Sequence, residues 1–546
     1  MKELEALIKM RLLSVKIGLV RCFLPLCFVA LLPLSASAQE DDLLVRRGGC
    51  MPELAQGAVT GHAAVQRRLP AIKNNWDPDR TYRQLVILLT FSDTNFSMAD
   101  PLNTYNRIFN EAGYNQRQGA GCVADYFRSQ SNGMFNLQFD VFGPYQVSSK
   151  SQPYENPTDK TKNLAIASLR EATVKFVEEN PDLDYTVYDW DGNGQIEQVI
   201  IVCAGYTGNQ NSTKSYGHIW PNTGSFSTIT APGGIKISNF SSSAELWTNN
   251  NLCGIGTVCH EFSHSLGLPD IYPTSNSWTY SVVDEWDLMD GGNFTNYGWC
   301  PPNYTALEKF LLGWISYEEL TGPTTVTGLK PLSEGGKAYV IKHTDNEYLL
   351  LENRQWRGWD AGLPGKGLIV YHVNYIASVW ANNRPNDTSN KPNFHLMNND
   401  TFSYEDWTAY LKEHGVTSQT AVYQNPNRMN SQYFMNAHFP YGEGDAKADS
   451  LTDHSVPATL MYNDNAQSSK YLSKSITNIK VTDDGLVSFD FMGGGIPTAI
   501  RGMARQSGRE SAVAYDLNGR RLSQPSRKGI YILRQSDGTI VKKVFK

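Results

Sequence analysis

Residues 260–270 read His-Glu-Phe-Ser-His-Ser-Leu-Gly-Leu-Pro-Asp. On a helix, His260 and His264 lie four residues apart and share one face, where two imidazoles can hold one zinc ion. Glu261 lies beside them, placed to take a proton from a zinc-bound water. Residues 252–259 are mostly apolar or small, which favours a buried helix over one that turns two histidines to solvent. The stretch therefore predicts a catalytic zinc site.

The end of this motif supplies a third zinc ligand. Gly267 can adopt the left-handed conformation that ends a helix, and Pro269 cannot continue one. The chain therefore turns, and Asp270 returns towards the metal, which leaves a fourth position open for water and substrate. Three later carboxylates compete with Asp270 for this role: Asp284, Glu285 and Asp287.

A methionine follows in a glycine-bearing turn, within the sequence Trp-Asp-Leu-Met-Asp-Gly-Gly at residues 286–292. Taken alone, Met289 is best interpreted as a core residue. Taken with the zinc motif, its position favours a hydrophobic floor under the metal.

Length and charge limit the class of protein. A chain of 546 residues predicts several domains. The net charge of -6 gives no electrostatic argument for a nucleic-acid partner. Lys16 and Arg21 precede an apolar run at 22–34 and small residues up to Ala38, so residues 1–38 are predicted to be a signal peptide. That run is too short for a membrane span, and none is predicted elsewhere.

Residues 39–78 are a polar propeptide or lead-in, and residues 79–320 are predicted to form the zinc peptidase catalytic domain. Continuous apolar runs at 84–91 and 198–203 predict buried strands. An amphipathic pattern at 163–179 and the zinc motif predict helices. Strands mixed with helices indicate an α/β-type domain.

The pattern changes after Trp314 to short alternating segments that are typical of strands. Residues 321–492 are therefore predicted to be a β-rich domain of the sandwich type. Within it, residues 379–437 are rich in Asn and polar groups and are interpreted as a long surface insertion. Residues 493–500 form a linker. Residues 501–546 form a small basic module of three strands, too small to carry chemistry.

An acidic loop at 189–197 places oxygen ligands at alternating positions, with a glycine for a sharp turn. This is the first half of a calcium loop, and calcium is predicted here. The twelfth-position glutamate of an EF-hand is absent, since Ile200 stands there, and the alternative is an Asx-rich turn that binds nothing. The candidate ligands are Asp189, Asp191, Asn193, Gln195 and Glu197.

Six cysteines remain after the signal peptide. Cys253 and Cys259 flank the start of the zinc helix and are either a disulfide or buried free thiols. Cys50 lies in the lead-in, upstream of a plausible cleavage site at Arg67-Arg68. Its thiolate could fill the open zinc position and hold an enzyme latent. The alternatives for Cys50 are a disulfide and an inert thiol.

The extended zinc motif with its methionine turn resembles the metzincin clan of metallopeptidases. More closely, the chain resembles the bacterial immune inhibitor A family over about residues 80–492. The resemblance implies a secreted zinc peptidase that acts on proteins or peptides. Its markers are residues 125–133, 189–197, 204–205, 260–270, 286–289, 307–309, 312–314, 350–355 and 365–372.

One position departs from that clan. Several metzincins place a tyrosine two residues after the turn methionine, as a donor to the transition state. Gly291 stands there in this chain, and although Tyr297 could serve instead, the oxyanion donor is left unassigned.

The basic C-terminal module resembles the sorting domain of type IX secretion substrates. The matching residues are 515–520, 528–531 and the Lys542-Lys543 ending. The resemblance implies export by secretion machinery through the outer membrane of a gram-negative bacterium, followed by release or surface attachment.

The sequence thus predicts an α+β protein: a metzincin-like catalytic domain, a β-sandwich-like domain and a small β module. The predicted function is a secreted zinc endopeptidase with Glu261 as general base. One rival is a catalytically silent adhesin on a peptidase scaffold, which would not need Glu261. Another is an intracellular thermolysin-like peptidase, which the signal segment argues against.

Overall fold

The computed structural model describes residues 69–117, 119–152, 164–206, 208, 218–247, 250–274, 283–388, 391–397, 437–442 and 447–495, with the backbone of four C-terminal strands. Its α-helices are α1 (Pro101–Asn110), α2 (Val123–Gln130), α3 (Ala165–Glu179), α4 (Gly256–Ser265), α5 (Ala306–Leu311) and α6 (Ala377–Ala381). The strands of the N-terminal half are β1 (Thr81–Thr90), β2 (Asn136–Gln146), β3 (Val199–Tyr206), β4 (Thr223–Thr230) and β5 (Lys236–Leu246). Those of the β-rich region are β6 (Tyr317–Glu319), β7 (Thr324–Leu329), β8 (Ala338–Lys342), β9 (Glu347–Arg354), β10 (Gly367–Asn374), β11 (Phe394–Leu396), β12 (His438–Phe439), β13 (Ile476–Val481) and β14 (Val487–Phe491).

A five-stranded sheet organises the N-terminal half, in the order β2-β1-β3-β5-β4. Its first four strands run parallel, and the edge strand β4 pairs antiparallel with β5. The two continuous apolar runs form β1 and β3, which are almost entirely buried. Parallel strands are apolar throughout because helices cover both of their faces.

Alternate residues of β1 enter two different hydrophobic clusters. Val86 and Leu88 pack with residues of α1, α2 and α4, whereas Leu85 and Ile87 pack with residues of α3. Since successive side chains of a strand point to opposite faces, the helices lie on both sides of the sheet. The predicted mixture of helices and strands is confirmed.

The zinc motif forms α4, and every residue of this helix is buried. It ends as the sequence predicts, just before Gly267, which has a φ of +96°. A Cβ atom at Gly267 would lie 2.6 Å from the Cα of Ile72. Both the backbone conformation and the close approach therefore require glycine here.

The end of the predicted lead-in packs against this core. Leu69 is buried, and its N–H donates a hydrogen bond to the carbonyl of Ala381. The ring of Trp76 lies 4.5 Å from that of Phe135, and its Nε1–H donates to the carbonyl of Leu312 (2.6 Å). Residues 69–78, although predicted as the end of the lead-in, thus belong to the packed structure.

The β-rich region contains a six-stranded and a three-stranded sheet. The first has the order β11-β10-β9-β8-β6, with β12 also paired to β10, and the second has the order β13-β14-β7. Leu349 and Leu351 of β9 share a hydrophobic cluster with Phe489 of the three-stranded sheet. Leu350 belongs instead to the cluster that contains Phe262 of the zinc helix. One face of the six-stranded sheet therefore shares a core with the catalytic region.

The C-terminal module carries the strands that the sequence predicts, and one more. They are β15 (Val513–Tyr515), β16 (Arg521–Leu522), β17 (Gly529–Arg534) and β18 (Ile540–Phe545). They form an antiparallel sheet in the order β16-β15-β17-β18.

Several predictions fall on residues outside the described part of the chain. These are the signal peptide at 1–38, the lead-in up to residue 68 with Cys50, and most of the polar segment at 379–437. Across the residues that are described, none of the helices has the length and apolar character needed to cross a bilayer.

Candidate active site

Helix α4 presents its two histidines with one nitrogen of each ring already engaged. The Nδ1 of His260 lies 2.9 Å from the carbonyl oxygen of Leu288, and the Nδ1 of His264 lies 2.8 Å from that of Leu268. A carbonyl can only accept, so each Nδ1 carries the proton. Hydrogen bonds of this kind fix the tautomer and the ring orientation of metal-binding histidines. Both Nε2 atoms are therefore left as potential ligands.

Both Nε2 atoms face one carboxylate oxygen. Asp270 Oδ1 lies 3.1 Å from the Nε2 of His260 and 3.2 Å from that of His264. The three ligand atoms lie within 4.8 Å of one another, and all three residues are buried. Two imidazole nitrogens and a carboxylate oxygen are a typical protein donor set for zinc. The chemistry and spacing of these residues fit that metal.

The electrostatics of the cluster also favour a cation. Burial works to lower the pKa of His260, but the hydrogen bond to Asp270 and the negative charges of Glu261 and Asp270 raise it to about 9. Burial works to raise the pKa of Asp270, but His264 and His260 hold it well below its usual value. The buried carboxylate thus draws positive charge to this point.

The competing carboxylates lie elsewhere. Asp287 accepts a hydrogen bond from the N–H of Met289 (2.6 Å). Burial and the neighbouring charge of Glu308 raise its pKa well above the usual value. Asp284 Oδ1 lies against Gly291, where a Cβ atom would approach it to 2.0 Å. Among the described residues, neither these nor Glu285 join a group that could hold a metal.

Glu261 lies next to the cluster without joining it. Its side chain is buried, and its Oε2 lies 2.8 Å from the Oγ1 of Thr223. The same hydroxyl lies 2.7 Å from the main-chain oxygen of Glu261. Thr223 begins the edge strand β4, so the sheet orients the carboxylate through one hydroxyl.

The methionine turn is tied to both sides of the cluster. Met289 is fully buried, and its carbonyl accepts a hydrogen bond from the N–H of Ile271 (2.8 Å). The preceding residue, Leu288, supplies the carbonyl that orients His260. The turn thus connects the zinc helix with the residue that follows Asp270.

The candidate oxyanion donor stays unassigned. A side chain at Gly291 would displace the Asp284 carboxylate, because its Cβ would lie 2.0 Å from Asp284 Oδ1. The ring of Tyr297 packs under the guanidinium of Arg117, 4.8 Å from the ring centre. Tyr272 is a further aromatic near the cluster, with its ring stacked on that of His260 at 6.2 Å.

A residue from the β-rich region completes the surroundings of Asp270. The Asn383 Nδ2–H donates to Asp270 Oδ2 (2.6 Å), and Asn383 Oδ1 accepts from the main-chain N–H of Asp270 (2.6 Å). The interpretation of residues 379–437 as a surface insertion is therefore wrong for its first part. Asn383 is buried, and its amide pairs with Asp270.

Sequence reasoning missed three residues around the cluster: Thr223, Tyr272 and Asn383. Tyr272 lay close to the motif, two residues after Asp270, and could have been flagged by that proximity. Thr223 and Asn383 carried no local signal, since each reaches the cluster from a distant element.

The predicted calcium loop forms, but as a hydrogen-bonded turn. Asp189 accepts hydrogen bonds from the N–H groups of Asn193 (3.1 Å) and Gly194 (2.8 Å). Glu197 pairs with the ammonium of Lys73 at 2.6 Å. Among the described residues, the carboxylates of this loop do not belong to a cluster of three or more His, Cys, Asp or Glu ligand atoms. The calcium prediction for Asp189, Asp191, Asn193, Gln195 and Glu197 has no support from these contacts.

The cysteines of the described residues are buried free thiols: Cys122, Cys203, Cys253, Cys259 and Cys300. Of the two states considered for Cys253 and Cys259, the structure has the free thiols. Cys50 lies outside the described residues.

Comparison with known proteins agrees with this geometry. Residues 80–309 match the family model of the immune inhibitor A peptidase M6 catalytic domain. Over these residues the chain is similar to the immune inhibitor A peptidases. The resemblance to that family, predicted over about residues 80–492, is confirmed over residues 80–309.

Two curated relatives carry the name pre-pro-metalloprotease PrtV, from two strains of Vibrio cholerae serotype O1. Each is 24% identical over 277 residues, which cover 45% of this chain and 30% of the relative. The chain thus matches less than a third of their length. The immune inhibitor A match ends at residue 309, so it includes the histidines, Glu261 and Asp270 but not Asn383.

Proposed function

We propose that this chain is a secreted zinc-dependent endopeptidase that hydrolyses peptide bonds in proteins. The observation that carries the proposal is the convergence of His260, His264 and Asp270 on one point, with Glu261 beside it. The family match and the metalloprotease name of the curated relatives support it. That the substrates are proteins is part of the proposal, because the match covers only 30% of those relatives.

His260, His264 and Asp270 would hold the metal in this reaction. When bound, zinc supplies Lewis-acid chemistry that polarises the scissile carbonyl and lowers the pKa of the attacking water. Glu261 takes the proton of that water and delivers it to the leaving amine. Thr223 keeps the carboxylate of Glu261 in one orientation while it does so.

The same residues argue against a silent adhesin. A binding protein needs no general base, yet Glu261 is present, buried and oriented by its own hydrogen bond. Leu288 and Leu268 also use their carbonyls to fix the histidine rings. An oriented general base beside a metal site has a use in catalysis that adhesion does not require.

Casein hydrolysis by the processed protein tests the proposal. We expect hydrolysis that stops when a chelator removes zinc and returns when zinc alone is added back. Hydrolysis that continues in metal-free protein would contradict a zinc peptidase. A zinc-loaded, folded protein that cleaves no protein substrate would favour the adhesin.

The proposal extends to export. Residues 1–38 would direct secretion and be removed after Ala38, and residues 501–546 would address the type IX secretion machinery of a gram-negative bacterium. Deletion of residues 501–546 should then retain a folded enzyme inside the cell. Normal appearance of that variant in the medium or on the cell surface would exclude a sorting role.

Cys50 is proposed to keep the unprocessed protein latent by binding the zinc with its thiolate, since soft sulfur binds zinc well. The Cys50→Ser precursor should be active before cleavage. If it stays as latent as the unmodified precursor, another group of the lead-in blocks the site. Calcium binding by the loop at 189–197 stays a prediction, and the peptidase proposal does not depend on it.

A further inference from the structure

The segment that follows α6 binds Asp270, the third ligand of the proposed zinc cluster, through both the nitrogen and the oxygen of one side-chain amide. Asn383 donates from Nδ2 to Asp270 Oδ2 and accepts at Oδ1 from the Asp270 N–H, each at 2.6 Å. The two hydrogen bonds hold the carboxylate from the side away from the histidines. Asp270 Oδ1 is thereby left to face His260 and His264.

The chemistry of this pair requires asparagine. Its side chain carries a donor and an acceptor on one planar group, whereas an aspartate would place a second carboxylate against Asp270 Oδ2. Asn383 also has a φ of +57°, a left-handed conformation that asparagine tolerates better than most residues with a side chain. Both the amide and the backbone therefore suit this position.

The neighbours of Asn383 extend the contact along the chain that follows Asp270. Asn386 Nδ2–H donates to the carbonyl of Ile271 (2.8 Å). Asp387 Oδ1 accepts from the N–H of Thr274 (2.6 Å), whose hydroxyl donates to the Asn383 carbonyl (2.9 Å). We name residues 383–387 the asparagine clasp.

The six-stranded sheet holds this clasp in place. Asn386 also donates to the carbonyl of Phe394 (2.9 Å) and accepts from its N–H (3.0 Å). Phe394 begins β11, which pairs with β10. Asn386 is fully buried, so the link between the sheet and residue 271 is shielded from water.

We propose that Asn383 is a positioning residue for the metal site, and that the site is complete only with the asparagine clasp of the β-rich region. Asn383 is not one of the proposed ligands, and both ends of its amide bond Asp270. It fixes the orientation of the Asp270 carboxylate, and the sheet fixes Asn383 through Asn386. The proposal rests on the zinc site proposed above, and it extends that site beyond the matched family domain, which ends at residue 309.

Zinc affinity of the full processed chain, measured with zinc alone against a competing chelator, tests this role. Removal of a hydrogen-bond partner behind a metal ligand typically costs 10–100-fold in affinity. We expect Asn383→Asp and Asn383→Ala to weaken zinc binding by about 10-fold or more. Asn382→Asp is the matched control, because Asn382 is the exposed neighbour whose amide donates to the Ser378 carbonyl. It should bind zinc as the unmodified protein does.

The cobalt-substituted protein gives a second readout that general loss of stability would not produce. A reoriented Asp270 changes the ligand field, so the visible absorption of bound Co²⁺ should shift in the Asn383 variants and not in Asn382→Asp. Unchanged zinc affinity together with an unchanged cobalt spectrum in a folded Asn383 variant would overturn the proposal.

Asn386→Ala decides the matter where the Asn383 variants do not fold. It leaves the amide of Asn383 in place and removes its anchor to the sheet, so zinc binding should weaken by less than in an Asn383 variant. Zinc affinity equal to that of the unmodified protein would overturn the role of the clasp. Failure of the peptidase proposal gives a different pattern, with tight zinc binding that still depends on Asn383 but no hydrolysis of casein.

Discussion

Two clusters of this molecule contain a pair of histidines and a carboxylate, and they are built differently. In the zinc helix, two Nε2 atoms converge on one oxygen of Asp270. In the six-stranded sheet, the groups form a chain: His372 Nε2 lies 2.8 Å from Glu347 Oε1, and His372 Nδ1 lies 3.0 Å from His395 Nε2. Convergence leaves room for one shared cation, whereas a chain uses its groups on one another.

The surroundings of the two carboxylates show the same difference. Glu347 accepts hydrogen bonds from the N–H groups of Tyr462 and Asn463 and from the Asn463 amide, besides His372. His395 bonds the Leu396 carbonyl and the Tyr462 hydroxyl. The sheet cluster thus satisfies its groups with protein atoms. Residue type alone does not make a metal site; the direction of the free lone pairs does.

Paired substitutions in the two clusters give the largest expected effect. His264→Ala should lose zinc and peptidase activity together, because it removes one of three ligands. His395→Ala, the matched change in the sheet, should keep zinc and activity while it lowers thermal stability. The measurements are zinc content by elemental analysis and the rate of casein hydrolysis. A His264→Ala protein that holds zinc normally would refute the assignment of the cluster.

A substitution at Thr223 should have a smaller effect, on the proposed base Glu261 and not on zinc binding. Thr223→Val removes the hydroxyl that orients Glu261 and keeps the shape of the side chain. Loss of a hydrogen bond to a charged group costs about 1.5 kcal/mol, so kcat should fall about tenfold, with zinc content and KM unchanged. Thr228→Val, at an exposed position of the same strand, should leave kcat as it is. A kcat for Thr223→Val equal to that control would remove Thr223 from the mechanism.

The smallest effect concerns the acid sensitivity of the sheet cluster. Burial and the neighbouring charge of His372 lower the pKa of His395 from 6.5 to about 3. The unfolded chain therefore takes up a proton below pH 6.5 that the folded protein does not, and stability falls as the pH decreases from 6.5 towards 3.

The Glu347 carboxylate adds a second loss at lower pH. Burial acts to raise its pKa, but the hydrogen bond from His372 and those from Tyr462 and Asn463 lower it from 4.5 to about 2. Its contribution to stability is present above pH 4.5 and is lost as the pH falls towards 2. The two groups thus act in the same direction over different ranges.

His395→Gln should weaken the pH dependence of stability only in the upper pH range, where His395 and not Glu347 contributes. Each pH unit over which only the unfolded state is protonated costs about 1.4 kcal/mol. The melting temperature, measured at several pH values between 7 and 4.5, should therefore fall less steeply with decreasing pH in the variant than in the unmodified protein. Equal slopes of melting temperature against pH in the two proteins would show that His395 does not take up a proton on unfolding.

The helix and its turn are predictable because local spacing determines them. His260 and His264 share a face in any α-helix, and Gly267 followed by Pro269 ends it in any context. The buried strands β1 and β3 are likewise visible as apolar runs. These features need no knowledge of the rest of the fold.

Residues that act through tertiary contacts are not predictable in this way. Thr223 reaches Glu261 across 38 positions of sequence and Asn383 reaches Asp270 across 113. A segment rich in asparagine has the composition of a surface loop, yet residues 383–387 are held against the zinc cluster by specific amide pairs. The loop at 189–197 is also not decided by local spacing, since the Asp189 oxygens that the pattern marks as calcium ligands accept main-chain N–H groups in the structure.

Zinc content and casein hydrolysis of Glu261→Ala, measured on the same preparation, test the central claim most directly. With Glu261 as the proposed base and not a ligand, the variant should hold about one zinc per chain, as the unmodified protein does, while hydrolysis falls by 10² or more. Retained hydrolysis in the zinc-loaded variant, or loss of zinc together with activity, would contradict the account.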